Sequence, residues 1–231
     1  MVSQDELQEL MGGELKTYFH DQFLGTEQLA RAVTQTGEIT EGLAQLRLST
    51  GIQEGSTARA NYNRQMMNPL YSKLYVKLRM NDMRDLDMFV GFKYDIGTPS
   101  WGMTTSCAGL FMDYKNDNGK LYWYTGNGDL DHPKYQAVPI SGIDIRSWHV
   151  FKMEGNRVSY WSVPYTVPYF DKNVLPGLKQ GMTRKWSQVY ACGSVMPADV
   201  NHYLMFWIRN RVGATKYMDV EKVNYAEVYP D

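Results

Sequence analysis

Residues 71–92 read YSKLYVKLRMNDMRDLDMFVGF and contain two runs in which apolar side chains take every second position. In the first run, residues 71–80, the apolar positions are Leu74, Val76, Leu78 and Met80. In the second run, residues 86–92, they are Leu86, Met88, Val90 and Phe92. Alternate residues of a β-strand point to opposite faces of a sheet. The stretch therefore predicts two half-buried strands joined by a short turn.

The same alternation recurs further along the chain, and turn residues separate the runs. YLMFWIRNR (203–211) predicts another strand of this type. Asn118 and Gly119 stand between LFMDY and LYWYT, and this dipeptide favours a tight hairpin turn. Many short strands separated by turns are typical of an all-β sandwich or barrel.

Only the N-terminus shows helical features. Ser3 and Glu6 fit a capping box, which predicts a short helix over about residues 4–11. Beyond the first dozen residues there is no helical period. We therefore predict an N-terminal arm with a short helix over residues 1–17 and a single β-sandwich domain over residues 18–231.

Charge and hydropathy exclude several classes of protein. The 231 residues include 24 Lys and Arg against 25 Asp and Glu, so the net charge is −1. A general nucleic-acid binder needs a basic excess, so we expect no nucleic-acid partner. No run approaches the roughly 20 apolar residues of a membrane helix, so we expect no membrane insertion. The first residues, MVSQDELQELMGGELK, lack the basic start and apolar stretch of a signal peptide.

Two cysteines, Cys107 and Cys192, are too few for a disulfide framework, and neither belongs to a C-x-x-C motif. We predict two free buried thiols, with one bridge between them as the alternative. With only four histidines and no recognised spacing, the chain offers no four-ligand zinc set.

Five segments, taken together, resemble a known fold family. The first is the central pair of predicted strands at 71–92. The other four are FHDQFLGTEQL (19–29), GLAQLRLSTG (42–51), HVFKMEGNRVSYWSV (149–163) and DVEKVNYAEVYPD (219–231). Their order and spacing resemble the concanavalin A-like lectin/glucanase family in its broad laminin-G-like or glucanase-like form. The resemblance implies a jelly-roll sandwich of two antiparallel sheets. It implies no particular activity, because fold does not fix function.

Retaining glucanases of this family carry a strand motif E-x-D-x-E, or E-x-D-x-x-E with a bulge. Its outer acids are the nucleophile and the acid/base, and the chemistry needs two carboxyl groups roughly 5–5.5 Å apart. The stretch that resembles it begins with Asp85 and keeps Asp87, and the alternation predicts that these two carboxylates project side by side on one strand face. Phe89 or Val90, however, stands where the proton donor belongs. We therefore expect no glycosidase activity and no catalytic residues, with a divergent glycoside hydrolase as the less favoured alternative.

Two acidic loops raise the question of calcium, which many laminin-G-like modules bind. DYKNDNG (113–119) and GNGDLDH (126–132) offer oxygen ligands, but the first does not match an EF-hand loop. Asn, Asp and Gly are also the residues that hairpin turns use. We expect turns and no cofactor or metal, with calcium as the alternative.

The polar side of the predicted strands is rich in aromatic and charged residues, and aromatics make up 13% of the chain. Aromatic rings stack on sugars while carboxylates accept hydroxyl protons, so this mixture suits a glycan groove. Core packing and protein interfaces use the same residues. We expect one cleft, on a shared polar face, to be lined by the candidate ligand-binding residues Tyr75, Lys77, Asp85, Asp87, Phe89, Trp101, Tyr160 and Trp161.

Residues 164–186 carry three prolines and two glycines and predict a long recognition loop. Tyr165, Tyr169 and Phe170 are its candidate anchors for a protein partner.

The residues and the resemblance together predict a non-enzymatic surface or assembly module. We expect a virus or phage structural protein, such as a head-decoration, fibre or tail component, located on a virion or another extracellular surface assembly. The expected partners are other subunits of a particle or a homo-oligomer, with glycans as further ligands. A carbohydrate-binding, lectin-like module is the alternative.

Overall fold

A computed structural model describes residues 14–21, 23, 29–42, 44–62, 67–162 and 187–229, with the side chains of 14–20, 161–162 and 226–229 left out of the description. The elements in chain order are β1 (Glu14–Asp21), β2 (Leu29–Val33), β3 (Glu38–Gly42), β4 (Gln45–Ser49), β5 (Thr57–Tyr62), β6 (Ser72–Met80), β7 (Leu86–Lys93), β8 (Cys107–Met112), α1 (Tyr114–Asp117), β9 (Tyr122–Gly126), β10 (Tyr135–Pro139), β11 (His149–Glu154), β12 (Arg157–Ser162), β13 (Tyr190–Ala191), β14 (Tyr203–Asn210) and β15 (Tyr217–Tyr229).

The strands form two antiparallel sheets that pack face to face. The eight-stranded sheet has the order β13-β12-β11-β6-β15-β4-β3, with β1 also paired to β15. The seven-stranded sheet has the order β10-β9-β8-β7-β14-β5-β2. Consecutive strands therefore often lie in different sheets, as in a jelly roll. In particular, β6 belongs to the eight-stranded sheet and β7 to the seven-stranded sheet.

The apolar faces predicted from the alternation meet in the core between the sheets. Leu74, Val76 and Leu78 of β6 are fully buried there, opposite Met88 and Val90 of β7. The strand assignments for 71–80, 86–92 and 203–211 are confirmed by β6, β7 and β14. The expectation that β7 is half-buried is wrong, because every one of its residues is buried.

Three sequence predictions concern the chain's ends and turns. β8 and β9 pair as predicted. The prediction of a tight two-residue turn at Asn118 and Gly119 is wrong, because nine residues that include α1 connect the two strands. β1 already begins at Glu14, before the predicted boundary at residue 18. The predicted helix over residues 4–11 lies outside the described residues.

Both cysteines are free and buried, which confirms the favoured prediction. Cys192 lies in the core between the sheets, and Cys107 lies on the other side of the seven-stranded sheet. Among the residues that the structure describes, no helix is long and apolar enough to span a membrane.

Candidate functional site

The outer face of the seven-stranded sheet carries a second apolar cluster, separate from the core. Phe89 of β7 pairs with Phe111 of β8 on one side and with Trp207 of β14 on the other. Phe111 in turn pairs with Tyr122 of β9, so four aromatic side chains cross the sheet in one row. Gly109 makes room for this row, because a Cβ there would lie 2.8 Å from the Phe89 ring. The cluster explains why both faces of β7 are buried.

The connection between β7 and β8, residues 94–106, folds back over this outer face. Its Trp101 lies 6.0 Å from the Phe111 ring and 5.3 Å from the Tyr122 ring, and Met103 is buried in the same cluster. Arg59 of β5 donates a hydrogen bond to the Ile96 carbonyl and holds the connection at its other end. We call residues 94–106 the covering loop, because they close much of the outer face.

A buried serine–histidine pair fixes the end of the covering loop. His202 Nδ1 lies 2.6 Å from the Val200 carbonyl, which can only accept, so this nitrogen carries the proton. His202 Nε2 then accepts a hydrogen bond of 2.7 Å from the Ser106 hydroxyl, whose oxygen accepts from the Ala198 N–H at 2.8 Å. Burial lowers the pKa of His202 to about 4, so the neutral ring is the stable form at neutral pH.

Asp87 is held by positive charge. Its Oδ2 accepts hydrogen bonds from the Nε atoms of Arg209, at 2.8 Å, and of Arg211, at 2.7 Å. Its Oδ1 accepts from the backbone N–H of Tyr114 at 2.9 Å, at the start of α1. Asp87 is 2% exposed. It is also the one carboxylate that the described strands of this sheet direct to the outer face.

Asp85 does not stand beside Asp87, and this part of the sequence prediction is wrong. Asp85 precedes β7 in a turn and has a φ of 55°, a left-handed conformation that takes it out of the strand's alternation. Its N–H donates to Asn118 Oδ1 at 2.6 Å, and Asn118 Nδ2 donates to its carboxylate at 2.7 Å. The two aspartates therefore do not form a pair of neighbouring carboxylates on one strand face.

Tyr75 and Lys77 were predicted to share a face with Asp87 and Phe89, and this is also wrong. They belong to β6, so they project from the outer face of the eight-stranded sheet, on the opposite side of the sandwich. Lys77 pairs there with Glu221 at 2.5 Å. A bulge in β15 between Val220 and Lys222 places Glu221 on that face.

The remaining candidates divide between the core, the covering loop and the undescribed segments. Tyr160 pairs with Phe151 and packs against the core between the sheets, so it lines no outer groove. Trp101 does lie over the outer face, as described above. The side chain of Trp161 and the partner-contact candidates Tyr165, Tyr169 and Phe170 lie outside the described residues.

The fully buried position of Phe89 corrects its predicted role as the wall of a groove. With 0% of its surface exposed, Phe89 supports the cluster and does not reach a ligand.

The accessible part of the cluster is at the β9 and β10 edge, where Trp101, Tyr122 and Tyr135 are half-buried or exposed. Tyr135 stacks on Tyr124 at 5.6 Å with 9° between the ring planes. We call Trp101, Tyr122 and Tyr135 the aromatic platform.

Sequence reasoning missed Tyr122 and Tyr135. The signal was present in LYWYT, where Tyr122 and Tyr124 alternate with Trp123, which faces the core. Beside the platform is an open cleft of about 450 Å³. Its lining residues are Pro133, Lys134, Tyr135, Gln136, Ser194 and Val195.

Buried polar groups behind the platform are shielded from water. Burial raises the pKa of the Cys107 thiol to about 12, so it is protonated and unreactive at neutral pH. Burial also raises the pKa of the Tyr124 hydroxyl.

The acidic loops use their carboxylates in turns. Asp113 accepts the N–H groups of Lys115 and Asn116 and caps α1, while Asp129 accepts those of Asp131 and His132. Within the described ranges there is no group of three or more His, Cys, Asp or Glu side chains that could hold a metal ion.

Comparison of the sequence with protein-family profiles and with curated proteins finds no match. Solved structures, in contrast, match over almost the whole chain. A β-glucanase from Bacillus licheniformis is 13% identical with a TM-score of 0.53, covering 91% of this chain and 98% of that one. The catalytic domain of an endo-1,3-β-glucanase (laminarinase) from Thermotoga petrophila is 9% identical with a TM-score of 0.55, covering 94% and 99%.

The exoplasmic/lumenal domain of VIP36, in its Ca²⁺-bound form, is 9% identical with a TM-score of 0.57 and covers 94% of this chain and 93% of that one. Glucanase and lectin structures of this kind share the concanavalin A-like jelly roll. The chain therefore has a concanavalin A-like lectin/glucanase fold, which confirms the predicted fold class. At these identities the similarity defines the fold, and function has to be argued from the residues.

Proposed function

We propose that this protein is a non-enzymatic concanavalin A-like module that works through binding, as a surface or assembly component. The observation that carries the proposal is the state of Asp87. Two-carboxylate hydrolysis needs a nucleophile and a proton donor close together. Asp87 has no second strand carboxylate beside it on the described outer face, and two arginines hold its charge. A carboxylate in this environment stabilises the sheet and is poorly placed to attack a sugar.

Reducing-sugar release from β-glucans tests the absence of hydrolysis. We expect the folded protein to release no more sugar than buffer does, and Asp87→Asn to behave in the same way. Release by the wild-type protein that is lost in Asp87→Asn, with circular dichroism unchanged, would contradict the proposal. Asp129→Asn is a matched control, because Asp129 is an exposed turn carboxylate far from Asp87 in sequence.

The setting we propose is a virus or phage particle, in which the chain would be a head-decoration, fibre or tail component. The outer face of the eight-stranded sheet, where the side chains of Arg47 and Arg79 are 41% and 33% exposed, offers a surface that identical copies can share in a symmetric assembly. Size-exclusion chromatography with light scattering, together with purification of particles, tests this setting. We expect an oligomer or co-purification with a particle. A protein that remains monomeric at all concentrations and is absent from particles would contradict it.

A second candidate function, glycan recognition, is favoured by the aromatic platform. Trp101 and Tyr135 lie 6.4 Å apart with their rings at 73°, and Tyr135 is 47% exposed. Exposed rings in this arrangement can stack on the apolar face of a sugar, and the 450 Å³ cleft beside them has room for neighbouring residues of a glycan.

A glycan array followed by titration of any positive glycan tests this candidate. We expect Tyr135→Ala to weaken binding by roughly 5- to 10-fold, the effect of losing one aromatic contact. Tyr217→Ala removes a half-buried tyrosine of β15, which belongs to the other sheet, and should leave the affinity unchanged. No binding to plant, microbial or animal glycans by the folded protein would exclude glycan recognition.

A further inference from the structure

A separate cleft of about 690 Å³ opens between three loops of the sandwich: the β6–β7 turn, the β8–β9 connection and the β10–β11 connection. Its lining residues are Asp82, Met83, Arg84, Asn118, Gly119, Ile143, Asp144 and Arg146. Met83 and Ile143 pack against the core and give the cleft an apolar floor. A volume of this size is within the range of small-molecule sites.

Hydrogen bonds connect two of the three loops that line the cleft. The reciprocal hydrogen bonds between Asp85 and Asn118 join the β6–β7 turn to the β8–β9 connection. Asp85 holds a left-handed conformation, which is strained for a residue with a side chain and persists where its surroundings impose it. The Arg84 stem packs over Gly119, where an added Cβ would lie 3.2 Å from Arg84 Cγ. Arg84 is therefore presented at the cleft by a fixed backbone.

The ionic groups in the cleft are paired, with one exception. Asp144 pairs with Arg146 at 2.6 Å, and Asp82 pairs with Lys216 at 2.6 Å. The guanidinium of Arg84 has no hydrogen bond or ion pair to any residue that the structure describes. Arg84 is thus the cation that remains available to an incoming anion.

We propose that this cleft binds a carboxylated sugar, such as a uronate. A guanidinium binds a carboxylate through two parallel hydrogen bonds, so Arg84 would take the acid group. The apolar floor of Met83 and Ile143 would contact the C–H face of the ring. Asp82 and Asp144 keep lone pairs that can accept ring hydroxyl protons. The site is distinct from the aromatic platform, and the proposal does not depend on glycan binding there.

Isothermal titration of the full chain with glucuronate, glucose and acetate tests the proposal. We expect binding of glucuronate and at least tenfold weaker binding of glucose, which lacks the acid, and of acetate, which lacks the ring. Equal binding of glucose would refute the role of the carboxylate, and equal binding of acetate would refute the role of the ring. No binding of glucuronate would refute the site, whatever the outcome at the platform.

Two variants locate the binding. Arg84→Ala should weaken glucuronate binding roughly 10-fold or more, as expected for the loss of a charge-assisted hydrogen bond. Lys120→Ala removes an exposed cation of the same β8–β9 connection that does not line the cleft, and it should leave the affinity unchanged. Arg84 is exposed, so its variant should fold, and an unchanged unfolding midpoint checks this. An unchanged affinity in folded Arg84→Ala would overturn the proposal.

Discussion

The two outer faces of the sandwich each hold a buried aspartate between two arginines, but the surroundings of these aspartates differ. On the seven-stranded sheet, Asp87 lies next to the aromatic row, and the side chains of Arg209 and Arg211 are 24% and 23% exposed. A third bond, from the Tyr114 N–H, ties Asp87 to α1. This aspartate is part of a covered, largely apolar face.

On the eight-stranded sheet, Asp219 pairs with Arg47 and Arg79, whose side chains are 41% and 33% exposed. The Arg47 guanidinium lies 4.3 Å from the centre of the Tyr217 ring, and that of Arg79 lies 4.7 Å from the Trp148 ring. The eight-stranded sheet therefore has the same cluster of one aspartate and two arginines, but its arginines are more exposed to solvent. The comparison teaches that the segments packed over a sheet, here the covering loop on the aromatic row and α1 on Asp87, make the two faces different.

We expect the largest loss of unfolding free energy from a change in the aromatic row of the seven-stranded sheet. Phe89→Ala removes a ring that is fully buried on an outer face, and losses of about 3–5 kcal/mol are usual for buried Phe→Ala changes. Denaturant unfolding measures this loss. Phe89→Leu, which keeps more of the volume, should lose much less. A loss below about 1 kcal/mol for Phe89→Ala would mean that the covering loop does not pack on the row in solution.

The covered face should also be sensitive to acid through His202. Its pKa is lowered from 6.5 to about 4 by burial, so the unfolded chain binds more protons than the folded chain between these values. Stability should therefore rise from pH 4 to pH 6.5, by about 3 kcal/mol at 1.36 kcal/mol per pH unit. Unfolding free energies measured across this range test the expectation.

The control for this pH dependence is His202→Gln, which removes the titrating ring and keeps a polar partner for Ser106. Burial also lowers the pKa of His149, so part of the slope should remain in this variant. A slope that is unchanged in His202→Gln would show that the serine–histidine pair does not set the acid sensitivity of the covered face.

The fold could be predicted from local patterns, whereas the candidate site could not. Alternation assigns each residue of β6 and β7 to one side of its own strand, which is why the core residues were predicted correctly. It does not say which sheet a strand joins. That choice depends on long-range pairing, of β6 with β11 and β15 and of β7 with β8 and β14. Tyr75 and Asp87 therefore ended on opposite faces.

Two further features of the site depend on contacts distant in sequence. The burial of Phe89 results from the covering loop, and nothing in the alternation of β7 indicates that a later segment folds back over it. The turn conformation of Asp85 results from its bonds to Asn118, 33 residues away. The acid pattern that prompted a catalytic comparison is therefore divided between a loop and a strand.

Removing the charge of each aspartate in turn compares the two clusters directly. Asp87→Asn should lose roughly 2–3 kcal/mol, because hydrogen bonds to charged groups are worth that much when buried. Asp219→Asn should lose less, about 1–2 kcal/mol, since its arginines are more exposed and can be solvated. Unfolding titrations of both variants measure the difference. A larger loss for Asp219→Asn would mean that the exposure of the arginines does not determine which cluster contributes more to the free energy of unfolding.

The smallest expected effect comes from changing one arginine and keeping its charge. Arg47 binds both oxygens of Asp219, at 2.6 and 2.9 Å, and stacks on Tyr217, and lysine can reproduce neither contact fully. At this exposure Arg47→Lys should lose about 0.5–1 kcal/mol. The matched change Arg209→Lys on the covered face should lose more and respond less to added salt, because buried pairs are screened less. Equal losses with equal salt dependence would show that the lower exposure of Arg209 does not strengthen its pair with Asp87.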